Sequence, residues 1–286
     1  MSYIEKLQKS SDLCGNNACM GLDLQWQYLP KKSSSFAADA KTFCSELFGA
    51  MKDEKLIPSA FKPNIGYYVV YDKPRQNLFE GSVALNNVIS LIEEYFPAVP
   101  IILDFKRGDI QRSSLNYAHE AFYCWQADAV TISPYMGIDS VTPFNLDNRG
   151  VYILNRTSNP GSKDIQDLVV NDNPLYMAVA EHIAKWAKEN RGFGAVVGAT
   201  NEKELFEIAA YYSDKEIPLL IPGVGSQGAS AQKTVEILKR ANYPLYLARI
   251  NSSSNLTHPW NSEIAPSDYL KHSLKNISSL IKECSL

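Results

Sequence analysis

The sequence has few residues arranged as metal ligands or disulfide partners. None of its five cysteines forms a C-x-x-C pair, and its four histidines are scattered without ligand spacing, which excludes the common zinc-binding motifs. An odd number of cysteines leaves at least one thiol unpaired in any disulfide arrangement. We therefore predict reduced thiols in a cytoplasmic protein, without a metal site.

Long apolar runs and an excess of basic residues are also missing. No stretch is long and apolar enough to cross a bilayer, and residues 1–16 resemble a short amphipathic helix rather than the apolar core of a signal peptide. The chain has 28 Lys and Arg against 31 Asp and Glu, a net charge of −3, whereas nucleic-acid binders usually present a strongly basic face. We expect neither a membrane nor a nucleic acid as partner.

Eight short runs of apolar, small and β-branched residues recur along the chain, as is typical of strands covered on both faces in a parallel sheet. They occupy residues 18–24, 59–64, 100–106, 129–133, 150–157, 194–200, 218–224 and 244–250. Amphipathic segments of helical length accompany them, at 35–54, 83–96, 114–126, 174–190, 201–213, 229–241 and 267–284. The segment 139–149 is the weakest helix prediction.

This alternation predicts an α/β fold, a single (β/α)8 TIM barrel with a short N-terminal helix, in which residues 1–286 form one domain. The alternative is a doubly wound open sheet that binds a nucleotide. No G-x-G-x-x-G motif follows the first predicted strand, and the nearest match, "PGVGSQG" at 222–228, follows the seventh. The barrel is therefore the favoured prediction.

Polar residues follow the predicted strands, at the end where barrels bind their ligands. They are Asp23, Lys62, Asn64, Asp104, Lys106, Asp109, Ser133, Arg156, Ser158, Gln227 and Arg249. Any one of them could be a solvated strand end or a helix cap. Charges at the ends of three successive strands favour a shared site.

The stretch "LDFKRGDI" at 103–110 carries four charges directly after an apolar run. Asp104 and Lys106 are two residues apart, so on a strand their side chains share a face, here the barrel interior. A structural salt bridge is one reading. A lysine flanked by carboxylates inside a barrel is better placed for proton transfer. Asp109 lies beyond the strand and is free to reach elsewhere.

The predicted strands 7 and 8 end in residues that suit a phosphate. The glycines of 222–228 let backbone amides approach an anion, and a helix starts near Ala229. Arg249, at the end of predicted strand 8, could bind phosphate in a bidentate fashion, through two parallel N–H···O hydrogen bonds. The alternative is a plain turn beside an exposed arginine.

Five ordered motifs resemble the longer-chain branch of the orotidine 5′-phosphate decarboxylase family, from about Leu22 to Trp260. They are "FKPNIGYY", "DFKRGDI", "SPYMGIDSVTPF", "LNRTSNPGS" and "PGVGSQG", and the second matches the family's D-x-K-x-x-D pattern. The resemblance implies conversion of orotidine 5′-phosphate to UMP in de novo pyrimidine biosynthesis, without a cofactor.

The resemblance also implies catalytic roles. Lys106 matches the proton donor to C6 of the pyrimidine, and Asp104 matches the carboxylate set against the substrate carboxylate. Lys62 matches a residue that holds the ribose and joins the charged network. Asp109 matches an aspartate that crosses into the neighbouring subunit's site, which implies a homodimer.

The remaining implied roles concern binding. Asp23 matches a second residue that holds the ribose hydroxyls, and Ser158 matches the serine that binds the pyrimidine amide. Gln227 and Arg249 match the residues that grip the phosphate. Ser113 stands where many relatives have Thr, so a hydroxyl is kept. The resemblance gives no role to the 69–77 loop, and Arg107 and Gly108 also stay unassigned.

Two other functions fit the same residues. One is a sugar-phosphate aldolase or lyase that uses Lys62 or Lys106 as a Schiff base; the neighbouring carboxylates oppose the low lysine pKa that it needs. The other is a non-catalytic protein that binds a phosphate ligand on a barrel. Such a protein would have no need for the alternating charges of Asp104, Lys106 and Asp109.

Overall fold

A parallel sheet that curls on itself forms the centre of the molecule. The computed structural model describes residues 1–225, 228–260 and 262–286. Within these ranges the sheet has eight strands, numbered β1 to β8: Ala18–Leu22, Ala60–Pro63, Ile102–Arg107, Ala129–Ile132, Gly150–Arg156, Phe193–Val197, Leu219–Ile221 and Ala248–Ser252. The strand order is β2-β1-β8-β7-β6-β5-β4-β3.

The two ends of this order, β2 and β3, meet and close the barrel. Isolated parallel bridges join Phe61 to Ile101 and Asn64 to Asp104. The strands carry continuous apolar runs because both of their faces are covered, by the barrel interior and by the surrounding helices. The predicted eightfold barrel is confirmed.

The longer helices of the described residues are numbered α1 to α8. They are Tyr3–Cys14, Phe36–Asp53, Glu80–Tyr95, Gln111–His119, Leu175–Ala187, Glu202–Tyr212, Ala231–Arg240 and Tyr269–Glu283. A π-helical turn, Glu120–Cys124, extends α4. Short α-helices occupy Gly66–Val69, Ile138–Val141, Lys163–Gln166 and Ser254–Thr257, and two hairpins pair Asp72–Lys73 with Leu78–Phe79 and Val169–Val170 with Asn173–Pro174. The weak helix prediction at 139–149 corresponds to Ile138–Val141 and the 3₁₀ turn Thr142–Phe144.

Helix α1 packs against the start of the strands, opposite the end where ligands bind in such barrels. It begins with a capping box, in which Ser2 Oγ accepts from the amide of Glu5 and the Ser2 amide donates to the Glu5 carboxylate. Tyr3 Oη donates to Tyr152 Oη at 3.0 Å. A Cβ on Gly150 would lie 2.3 Å from the Tyr3 ring, so this contact requires glycine.

The helices and the cysteines show two further features. Among the described residues, no helix has both the length and the apolar character needed to cross a membrane. All five cysteines are free thiols, and Cys19, Cys44 and Cys284 are buried.

Candidate active site

The carboxyl ends of the strands surround a cavity of about 480 Å³, a size typical of small-molecule sites. Its lining residues come from seven of the eight strands or the loops that follow them, all except β4. They are Asp23, Gln25, Lys62, Asn64, Tyr67, Asp104, Lys106, Leu154, Thr157, Ser158, Asn159, Val196, Pro222, Gly223, Val224, Asn251, Ser253 and Ser254. The predicted site residues Asp23, Lys62, Asp104, Lys106 and Ser158 therefore meet in one place.

Three charged side chains at the ends of β2 and β3 form a linear array. Lys62 Nζ lies 2.7 Å from Asp104 Oδ2, and Lys106 Nζ contacts the other carboxylate oxygen, Oδ1. The side chains of Lys62 and Asp104 are only 4% and 8% exposed, whereas that of Lys106 is 47% exposed. One lysine is thus fixed, and the other can reach a molecule in the cavity.

The array keeps its charges despite burial. Burial opposes the charged form of Asp104, but Lys62 and Lys106 outweigh it and hold the pKa of Asp104 well below its usual range. Burial also opposes the charge on Lys62, yet Asp104 and Asp23 raise the pKa of Lys62 above its ordinary value. At neutral pH Asp104 is therefore a carboxylate and Lys62 an ammonium group.

Two oxygen atoms at the ends of β1 and β8 point to a bound hydroxyl or amide group. Asp23 Oδ1 and Asn251 Oδ1 are buried with no hydrogen-bond partner among the described residues, although buried polar atoms are normally paired. Burial raises the pKa of Asp23, while Lys62 opposes this shift. A Cβ on Gly21 would lie 1.9 Å from Ser253 Oγ, so glycine lets these two strand ends approach.

The backbone turns sharply where β3 meets the cavity. Lys106 has a φ of 47°, a left-handed conformation unusual for a residue other than glycine, and the β3–β4 register shifts between Leu103 and Arg107. Arg107 stacks over the Phe105 ring, 4.5 Å from its centroid. A Cβ on Gly108 would lie 3.1 Å from the Ser133 carbonyl, so Gly108 permits close packing. These contacts give both previously unassigned residues a structural role.

Asp109 and Ser113 lie outside the lining of this cavity. Both are partly exposed; Asp109 precedes α4, and Ser113 lies in its first turn. The Ile110 amide donates to Asp109 Oδ1 at 2.7 Å, and the Ser113 amide donates to the Ile110 carbonyl. Within one chain the structure does not bring Asp109 into the array.

The end of the cavity at β7 and β8 is lined by neutral residues, as far as the structure describes it. Gly223, Gly225 and Gly228 have φ angles of 102°, 86° and 92°, which favour glycine. The amides of Gly225 and Gly228 donate to carbonyls of the same loop, so these two amides are already occupied. The predicted phosphate ligand Gln227 lies outside the described residues.

The prediction that Arg249 grips a phosphate is wrong. The apolar run 244–250 suggested that Arg249 ends the eighth strand, but β8 starts at Ala248, so Arg249 is its second residue. Its fully buried guanidinium donates to the carbonyls of Leu7 and Ala248, each at 2.8 Å, and to the carbonyl of Tyr246 at 3.1 Å. Arg249 therefore ties β8 to α1 at the opposite end of the barrel.

This correction predicts a stability effect for Arg249→Met. We expect the free energy of unfolding to fall by about 3 kcal/mol, because hydrogen bonds from a charged donor are lost and buried carbonyls are left unpaired. Urea unfolding measures the change. If stability were unaffected and affinity for a phosphate ester lost, Arg249 would belong at the cavity after all.

Sequence reasoning missed several residues in the cavity lining and one directly behind it. Asn251 lies in β8 and Ser253 and Ser254 follow it, all within the polar stretch "INSSSN", which could have indicated the true end of the strand. Thr131 was missed because a hydroxyl in the apolar run "AVTIS" gives little signal. Its Oγ1 donates to Asp104 Oδ1 at 2.9 Å.

Known proteins resemble this chain over most of its length. A model of the "Orotidine 5'-phosphate decarboxylase / HUMPS family" matches residues 19–243. The orotidine 5′-phosphate decarboxylase of Janthinobacterium sp. (strain Marseille) is 40% identical over 243 residues, which cover 85% of each chain. The structure of Leishmania donovani OMP decarboxylase is 30% identical, with a TM-score of 0.74, and covers 99% of this chain and 100% of its own.

Leishmania donovani UMP synthase is also similar in structure. It is 31% identical, with a TM-score of 0.76, and the match covers 98% of this chain. This chain spans only 56% of the UMP synthase. The likeness therefore concerns one part of that longer protein.

Proposed function

The chain belongs to the orotidine 5′-phosphate decarboxylase / HUMPS family, and we propose that it decarboxylates orotidine 5′-phosphate to UMP in pyrimidine biosynthesis. The observation that carries this proposal is the Lys62–Asp104–Lys106 array inside the cavity. Such an array presents a fixed negative charge and an accessible proton donor to the same small volume.

The proposed reaction uses Asp104 and Lys106, which both line the cavity. The bond between C6 and the substrate carboxylate breaks, CO2 leaves, and the electron pair stays on C6. The Lys106 ammonium stabilises this negative charge and then donates a proton to C6. Asp104 orients Lys106 through their ion pair, and repulsion between the like charges of Asp104 and the substrate carboxylate favours departure of CO2.

The array argues against a Schiff-base mechanism at Lys62. A Schiff base needs a neutral amine as nucleophile, but Asp104 and Asp23 raise the pKa of Lys62 and so favour its ammonium form. Its ammonium group is also held by Asp104, 2.7 Å away. A covalent adduct trapped with borohydride and a keto-sugar phosphate would favour the lyase instead.

The rest of the cavity suits the ribose, the base and the phosphate. We assign the ribose hydroxyls to Asp23 and Lys62, since Asp23 Oδ1 is a buried acceptor without a partner among the described residues. Ser158 lies in the lining, where it can meet the pyrimidine amide. The phosphate is assigned to the end formed by Gly223, Val224 and Ser254, with Gln227 as a further proposed ligand.

An ultraviolet assay of purified protein with orotidine 5′-phosphate, without added metal, tests the proposed function. We expect the orotidine absorbance to be lost and UMP to form at the same rate. Lys203→Ala is a matched control, since this side chain is 84% exposed, and it should retain full activity. Protein that binds UMP but converts no substrate would indicate the non-catalytic phosphate-binding alternative.

We further propose that the active form is a homodimer in which Asp109 completes the neighbouring site. Large apolar side chains are exposed around Asp109: Ile110, Leu115, Tyr135, Met136 and Ile138. Such clusters are typical of protein–protein contacts. The segments after β3 and β4 adjoin, since Met136 Cε lies 3.5 Å from the Cβ position of Gly108. Asp109 lies outside its own chain's cavity lining, as a residue donated to a partner would.

Mixed dimers test this shared site. Asp109→Ala and Lys106→Ala chains should each be nearly inactive alone, whereas co-refolding them in equal amounts should restore about a quarter of wild-type activity, because half of the dimers would hold one intact site out of two. Activity is measured before and after co-refolding. Refolding each variant by itself provides the control, and a mixture no more active than its parts would count against a donated Asp109.

We also propose a cytoplasmic location and a single barrel domain for residues 1–286. The free thiols of the five cysteines suit a reducing compartment. The contacts of Arg249 and Tyr152 with α1 support one folded unit.

A further inference from the structure

We infer that Thr131, on β4, is a positioning residue that holds both Asp104 and Lys106 in their working geometry. This inference rests on the proposed function for its kinetic consequences. Thr131 is buried, with only 1% of its surface exposed, and it does not line the cavity. It therefore acts on a bound molecule only through the residues that it contacts.

The hydrogen bonds of Thr131 determine where its hydroxyl proton points. Oγ1 accepts from the amides of Phe105 and Lys106, at 2.9 and 3.1 Å. A hydroxyl has two acceptor lone pairs and one proton. With both lone pairs occupied, the proton is directed to Asp104 Oδ1, 2.9 Å away. The hydroxyl thus favours the ionised form of Asp104 and fixes the orientation of its carboxylate.

The same hydroxyl replaces backbone hydrogen bonds that are missing between β3 and β4. The β3–β4 register shifts between Leu103 and Arg107, so the amides of Phe105 and Lys106 bond to the Thr131 side chain. Lys106 adopts its left-handed backbone conformation at this bulge. A conformation of this kind persists where the surroundings impose it. Thr131 thereby sets the direction in which Lys106 leaves the strand.

The comparison of Thr131→Val with Thr131→Ser tests the inference. Valine keeps the shape and removes the hydroxyl, and we expect kcat to fall about 10- to 100-fold while KM changes less than about threefold. Serine keeps the hydroxyl and should stay within about threefold of wild-type kcat. Folding is checked by circular dichroism, and Thr131→Ala is a second hydroxyl-free variant in case valine does not fold.

Full kcat in a folded hydroxyl-free variant, or a serine variant as impaired as valine, would overturn the inference. A loss of melting temperature with unchanged kcat would show a purely structural role. If the wild-type protein itself converted no orotidine 5′-phosphate, the proposed function would fail separately. Crystal structures of the Val and Ser variants would then decide, since an Asp104 carboxylate and a Lys106 backbone unmoved by valine would contradict positioning.

Discussion

Replacing Lys106 with alanine should lower kcat by at least about 10⁴-fold, because the change removes both the proton donor and the cation that stabilises charge at C6. UMP affinity should change less than about fivefold, since the phosphate and ribose contacts of the proposed site lie elsewhere in the cavity. Steady-state assays of orotidine 5′-phosphate turnover measure kcat, and isothermal titration calorimetry measures UMP binding.

Lys106→Arg separates the two contributions of this lysine. Arginine keeps the positive charge beside Asp104 but does not give up a proton in proteins. We therefore expect kcat to stay at least about 10²-fold below wild type in this variant. Near-normal turnover in either substitution would remove Lys106 from the role of proton donor, and equal losses of kcat and UMP affinity would indicate a binding role instead.

The barrel and its charged array were predictable because their signals are local. Continuous apolar runs mark strands buried on both faces, and the two-residue spacing of Asp104 and Lys106 places their side chains together. Lys62 was placed in the charged network only by the family resemblance, since its own local signal is no more than a charge at the end of a predicted strand. Both signals, the apolar runs and the two-residue spacing, can be recognised in a short stretch of sequence.

The site predictions that were wrong or missing depend on strand boundaries and on contacts between residues far apart in sequence. Arg249 was misplaced because the apolar run before it continues through a 3₁₀ turn, Leu245–Leu247, so the strand starts later than its composition suggests. Its partners on α1 are about 240 residues away in sequence, and no local pattern reports them. Thr131 was missed for a similar reason, since its importance comes from a bulge in the neighbouring strand.

Asp104→Asn should destabilise the protein by about 3–5 kcal/mol at neutral pH, the typical effect of removing one partner from a buried ion pair. The variant leaves the buried Lys62 ammonium without its nearest carboxylate, and only Asp23 then opposes the effect of burial. Urea unfolding measures the loss. Asp214→Asn, at an exposed ion pair, is the matched control and should show no measurable change.

The pH dependence of this loss identifies its electrostatic origin. The pKa of Asp104 is lower in the folded protein than in the unfolded chain, so its ionised form stabilises the fold above about pH 4, and this contribution fades as the pH falls toward the folded value. The gap between wild type and Asp104→Asn should therefore narrow below about pH 4. A difference in stability that stays constant in acid would point to lost packing.

In the double variant Lys62→Met/Asp104→Asn the two losses of stability should be less than additive, because each single change already breaks the same ion pair.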